Sequence, residues 1–93
     1  MAREEFVQRR TLFTGHVQGV GFRYRTWNIA QGHAVTGFVR NLSDGRVELV
    51  AEGTPAAVQA FLDDVAHAWE RNIDSAEVQT RPATGQWQSF AIA

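Results

Sequence analysis

The chain lacks cysteine and lysine entirely and carries only two prolines among 93 residues. Without cysteine, disulfides, thiolate nucleophiles and cysteine-ligated metals are excluded. No apolar run approaches the roughly 20 residues needed to span a bilayer, so no membrane partner is expected. The opening residues, Met-Ala-Arg-Glu-Glu-Phe, hold no long apolar segment of the kind a signal peptide requires, and a cytoplasmic location is expected. Nine arginines against ten acidic residues leave a net charge of −1. That is not the basic balance with which a protein grips a nucleic acid backbone, and the arginine-only usage is read as genome composition. His16, His33 and His67 fall in three separate segments without ligand spacing, so no metal site is expected.

What is present suits one small domain over residues 1–93, with 44% hydrophobic residues for a core and residues 1–5 frayed. From Val7 to Val17 the sequence alternates, with Phe13 and Val17 on the expected core face of a strand. Phe22 to Gln31 reads as a helix whose inward stripe is Phe22, Thr26, Ile29 and Ala30, with Gly32 as its C-terminal cap. Residues 35–52 form a hairpin around Leu42-Ser-Asp-Gly45, its return strand turning Val47, Leu49 and Ala51 inward and Glu48 and Glu52 to water. Thr54 and Pro55 open a second helix, in which Val58, Phe61, Leu62, Val65 and Trp69 recur at helical spacing. Residues 76–80 read as a further strand, 81–86 as a loop, and Phe90 and Ile92 as a short closing strand. The order is β-α-β-β-α-β plus a short fifth strand, the ferredoxin-like split β-α-β plan of the α+β class, with two helices on one face of an antiparallel sheet.

The stretch richest in chemistry is Gly15-His-Val-Gln-Gly-Val-Gly-Phe-Arg23, lying between the first strand and the first helix. Glycines at 15, 19 and 21 let the backbone curl until several N–H groups point into one concavity. The helix adds its own unpaired N–H groups and the positive end of its dipole. Arg23, in the first turn, mildly opposes that dipole unless an anion sits there. These features suit a phosphate-sized dianion, with Arg23 gripping two of its oxygens. Asn41, at the end of the second strand, is a neutral amide that can accept a hydrogen bond from a water and aim it. No carboxylate, Ser-His pair or thiol joins the group, so a covalent nucleophile is not expected. Gln18 reads as a brace of the loop, Asp44 as a turn former, and Asp63-Asp64 as part of a solvated helix face. Trp27 lies off the first helix's inward stripe and Trp87 lies in a loop; either is available to a hydrophobic group of a ligand or to a partner.

The motif Gly15-x-Val17-Gln18-Gly19-Val20-x-Phe22-Arg23, followed by Thr26 and Ala30, then Gly37-x-Val39-x-Asn41 and Asp44-Gly45-x-Val47, resembles the acylphosphatase family over nearly the whole chain. The resemblance implies hydrolysis of the carboxyl-phosphate bond of small acyl phosphates without metal or cofactor. It assigns phosphate binding to the loop residues His16, Val17, Gln18, Gly19, Val20, Gly21 and Phe22 together with Arg23, and orientation of the attacking water to Asn41. Inorganic phosphate is expected as product and competitive ligand, and the protein as a monomer. One departure is the connector Glu70-Arg-Asn-Ile73, which lacks the Gly-Pro-type spacer of bacterial relatives. Two other readings remain open. One is a non-enzymatic anion-binding module like the related domain of hydrogenase maturation proteins. The other is RNA recognition on the same strand order, against which stand the absence of paired aromatics on the central strands and the charge.

Overall fold

In the computed structural model, which describes residues 5–93, the elements follow in the order β1 (Val7–Gly15), α1 (Phe22–Ala30), β2 (Thr36–Asn41), β3 (Val47–Gly53), α2 (Pro55–Ala68), β4 (Ile73–Pro82) and β5 (Phe90–Ile92). Of the expected frayed segment, residues 1–5, only Glu5 is among the described residues, and it is exposed. The strands form one sheet in the order β4-β1-β3-β2-β5, with both helices on one face. β3 lies antiparallel to both β1 and β2, so β1 and β2 run in the same direction and finish at the same sheet edge. That arrangement brings the loop after β1 near the end of β2.

Between helices and sheet lies a core that includes Phe13, Val17, Phe22, Val39, Leu49, Val58, Phe61 and Val65. Burying one such side chain stabilises by about 1.5–3 kcal/mol. α2 starts where expected: the Thr54 hydroxyl accepts a 3.1 Å bond from the Ala57 N–H, and Pro55 takes the first helical position, where no N–H is needed. Its stripe buries Val58, Phe61 and Val65, while Leu62 and Trp69 are half-buried at its margin. α1 buries Phe22, Thr26 and Ala30 and ends differently from expectation. Gln31 is the cap residue, and Gly32 does not turn left-handed; its N–H bonds to Ile29 O at 3.0 Å as the last turn tightens.

Three strand expectations change. β4 spans Ile73–Pro82 and not only 76–80, because it pairs with all of β1 from Val7↔Pro82 to Gly15↔Ile73. β5 runs parallel to β2, with Phe38↔Ala91 and Val39↔Ile92, so the sheet is mixed and not wholly antiparallel. β4 and β5 occupy opposite edges, and the segment between them returns across the face the helices leave open. Glu48 and Glu52 on that face are 4% and 3% exposed and do not face water, and the segment covers Glu52. Glu52 accepts from Gln8 Nε2, Thr84 N, Thr84 Oγ1 and Gly85 N at 2.7–2.9 Å. Glu48 is clasped by the guanidinium groups of Arg10 and Arg40. Burial pushes both carboxyls up, but these hydrogen bonds outweigh it and hold both below the ordinary value of 4.5. Trp87, half-buried in the crossing segment, lies 5.6 Å from the Phe38 ring.

Candidate active site

The loop leaves the sheet at a position only glycine fits. Gly15 has φ 134°, and a Cβ there would stand 2.2 Å from Asn72 O. Beside it the His16 N–H donates to Asn72 O at 2.9 Å, and Asn72 Nδ2 returns a bond to His16 O at 3.0 Å. At the loop's far end Gly21 takes φ 83° as the N-cap of α1, a left-handed conformation that side-chain-bearing residues rarely adopt. Between these anchors Gln18 Nε2 donates to Leu42 O at 2.8 Å and to Arg46 O at 2.9 Å. The loop is thereby pinned to the β2–β3 turn, next to Asn41.

A pocket of about 210 Å³ lies over this edge, lined by Val17, Gly19, Gly21, Phe22, Arg23, Tyr24, Asn41 and Ile92. Its electrostatics favour an anion. α1 has no side-chain cap and no acidic residue in its first turn, and its first intrahelical bond is Arg25 N to Gly21 O. The N–H groups of the preceding turn are therefore unclaimed by the helix. Among the described residues, no backbone partner takes the N–H groups of residues 17–22, and Arg23 makes no ion pair. On the other wall, Asn41 Oδ1 is buried without a hydrogen-bond partner. A buried acceptor left empty costs about 1–3 kcal/mol, so it calls for a ligand or a water. The described residues contain no group of His, Asp or Glu able to hold a metal ion.

The acylphosphatase family model matches residues 9–92, nearly the whole described chain. The chain belongs to the acylphosphatase family. It is 38% identical over 81 residues to the acylphosphatase of Caldanaerobacter subterraneus, covering 85% of this chain and 89% of that one. The crystal structure of the Bacillus subtilis acylphosphatase superposes with a TM-score of 0.83 at 33% identity, over 94% of this chain and 98% of that one. HypF of T. kodakarensis matches with a TM-score of 0.77 and 30% identity over 94% of this chain, but only 12% of that longer protein is covered. Like its family, this acylphosphatase is a hydrolase of the carboxyl-phosphate bond of small acyl phosphates.

Within this acylphosphatase the predicted residues separate into two groups. Arg23, Asn41, Val17, Gly19, Gly21 and Phe22 meet in the pocket. His16, Gln18 and Val20 do not line it: the His16 N–H is spent on Asn72, the Gln18 amide on the β2–β3 turn, and Val20 packs against the core. Sequence reasoning missed Tyr24 and Ile92, which also line it. Tyr24 could have been found as a large ring on the exposed side of α1. Ile92 could not, because its place depends on the parallel pairing of β5. Among the described residues, no helix is long and apolar enough to cross a membrane.

Proposed function

We propose that hydrolysis proceeds by in-line attack of a water, hydrogen-bonded to Asn41 Oδ1, on a phosphoryl group held by Arg23 and by the N–H groups of residues 17–22. The observation that carries this reading is that Asn41, whose buried Oδ1 has no partner, lines the same pocket as Arg23 and the uncapped start of α1. A carboxylate is a good leaving group, so bond cleavage needs no general acid. The remaining task is to position the phosphoryl group, spread its charge and aim the water. Arg23 suits this because its fork binds two oxygens at once, which a lysine ammonium cannot imitate. Asn41 cannot take the water's proton at neutral pH, and a phosphoryl oxygen of the substrate receives it instead.

In this reading neither metal nor cofactor takes part, inorganic phosphate is both product and competitive ligand, and the chain acts as a monomeric single domain. A cytoplasmic site of action fits the substrate class, since a charged acyl phosphate made inside a cell does not cross its membrane. The test is hydrolysis of benzoyl phosphate with and without a chelator, with inorganic phosphate titrated as inhibitor. Turnover unaffected by the chelator and competitively inhibited by phosphate is expected. Loss of turnover on chelation, or non-competitive inhibition, would overturn the proposal.

A further inference from the structure

Four large hydrophobic side chains stand exposed among the described residues, and two of them, Tyr24 at 65% and Ile92 at 43%, border the same pocket. Neither position follows from packing the core. Tyr24 follows Arg23 on α1, away from the buried stripe of Phe22, Thr26 and Ala30. Ile92 pairs with Val39, two residues before Asn41 on β2. The two side chains therefore flank the phosphate cup, one beside the arginine and one beside the asparagine.

Both walls are also held together. The Tyr24 ring stacks on Trp27, with centroids 6.1 Å apart and planes inclined by 29°. The Trp27 indole N–H donates to Phe90 O at 3.1 Å, tying α1 to β5 two residues before Ile92. An aromatic ring held in place by stacking offers a preformed apolar face at little entropic cost. Among the described residues that line the pocket, Arg23 is the only cation. An acyl group bearing its own negative charge would find no second partner there, whereas an apolar one would cover surface now facing water.

We propose that Tyr24 and Ile92 form the acyl-group subsite, so that this acylphosphatase favours phosphates of apolar acyl groups, aryl or branched, over acetyl phosphate and over acyl groups that carry an anion. This rests on the phosphate placement proposed above. Trp27 is a positioning residue that holds Tyr24 and does not touch the substrate.

The test compares kcat/KM for benzoyl and acetyl phosphate in the unsubstituted protein, Tyr24→Ala and Tyr24→Phe. It is paired with calorimetric binding of phenylphosphonate and methylphosphonate, which need no turnover. The benzoyl-to-acetyl ratio should fall about tenfold in Tyr24→Ala and be kept in Tyr24→Phe, and the phenyl-to-methyl binding ratio should fall in parallel. Comparing that ratio between the proteins cancels the different intrinsic reactivities of the two substrates. An unchanged ratio in Tyr24→Ala, or no phenyl preference in the unsubstituted protein, would overturn the subsite. A phenyl preference lost in Tyr24→Ala, in a protein that turned over neither substrate, would support the subsite and sink the proposed mechanism alone.

Discussion

Asn41 and Glu52 are both polar side chains sunk into the sheet, one at the end of β2 and one near the end of β3, and they are treated in opposite ways. Glu52 receives four hydrogen bonds from Gln8, Thr84 and Gly85. Asn41 Oδ1 receives none. The protein had donors to spare, since Val17, Gly19, Gly21 and Phe22 line the same pocket with N–H groups that have no backbone partner among the described residues. Saturated polar groups tie segments together; the unsaturated ones around the pocket are where an outside molecule can bind.

The sharpest way to break this contrast is to remove the guanidinium. Arg23→Ala should lower kcat/KM by about a thousandfold or more and abolish inhibition by inorganic phosphate, with the melting temperature nearly unchanged. Retained phosphate inhibition would remove Arg23 from the binding role. Asn41→Ala should lower kcat by about a hundredfold while the phosphate inhibition constant moves only slightly, because a misplaced water affects the reaction more than the bound dianion. Equal losses in both would mean that Asn41 binds phosphate or supports the fold.

On the saturated side the effect should be on stability and not on turnover. Glu52→Ala strands the donors of Gln8, Thr84 and Gly85 and should cost about 2 kcal/mol in denaturant unfolding, with kcat kept within about threefold. The same carboxyl supplies a pH signature. Its folded pKa is lowered, so its contribution is fully present above the unfolded value of 4.5 and is lost as pH falls through the folded value. Glu48 acts in the same direction. Stability should therefore decline as pH drops from about 5 toward 3, and less steeply in Glu52→Gln. A parallel decline in both proteins would mean that other carboxyls govern the acid limb.

Local chemistry was legible wherever one segment supplied all of it. The α2 start at Thr54-Pro55, the turn at Asp44-Gly45 and the glycine loop opening into Arg23 each depend on residues a few positions apart. The outward placement of Glu48 and Glu52 failed for the opposite reason: alternation assigns a residue to a face but not what later covers that face. The segment over Glu52 arrives some thirty residues downstream in sequence, and Glu48 is enclosed by Arg10 and Arg40 from the two neighbouring strands. His16 was assigned to the phosphate loop on motif membership, but its N–H is claimed by Asn72 from the connector after α2.

From the sequence alone came the element order, the start of α2, the turn, and the glycine loop with Arg23 and Asn41 as candidate residues, because backbone propensity and side-chain chemistry act over short spans. Tertiary structure decided what no local pattern contains: that β1 and β2 end on one side of the sheet so that Arg23 and Asn41 share a cavity, that β5 lies parallel to β2 and brings Ile92 to its rim, and that a crossing segment and two arginines from neighbouring strands enclose Glu52 and Glu48 respectively. Each of these is a pairing between residues far apart in the chain, set by how the whole sheet closes around its core.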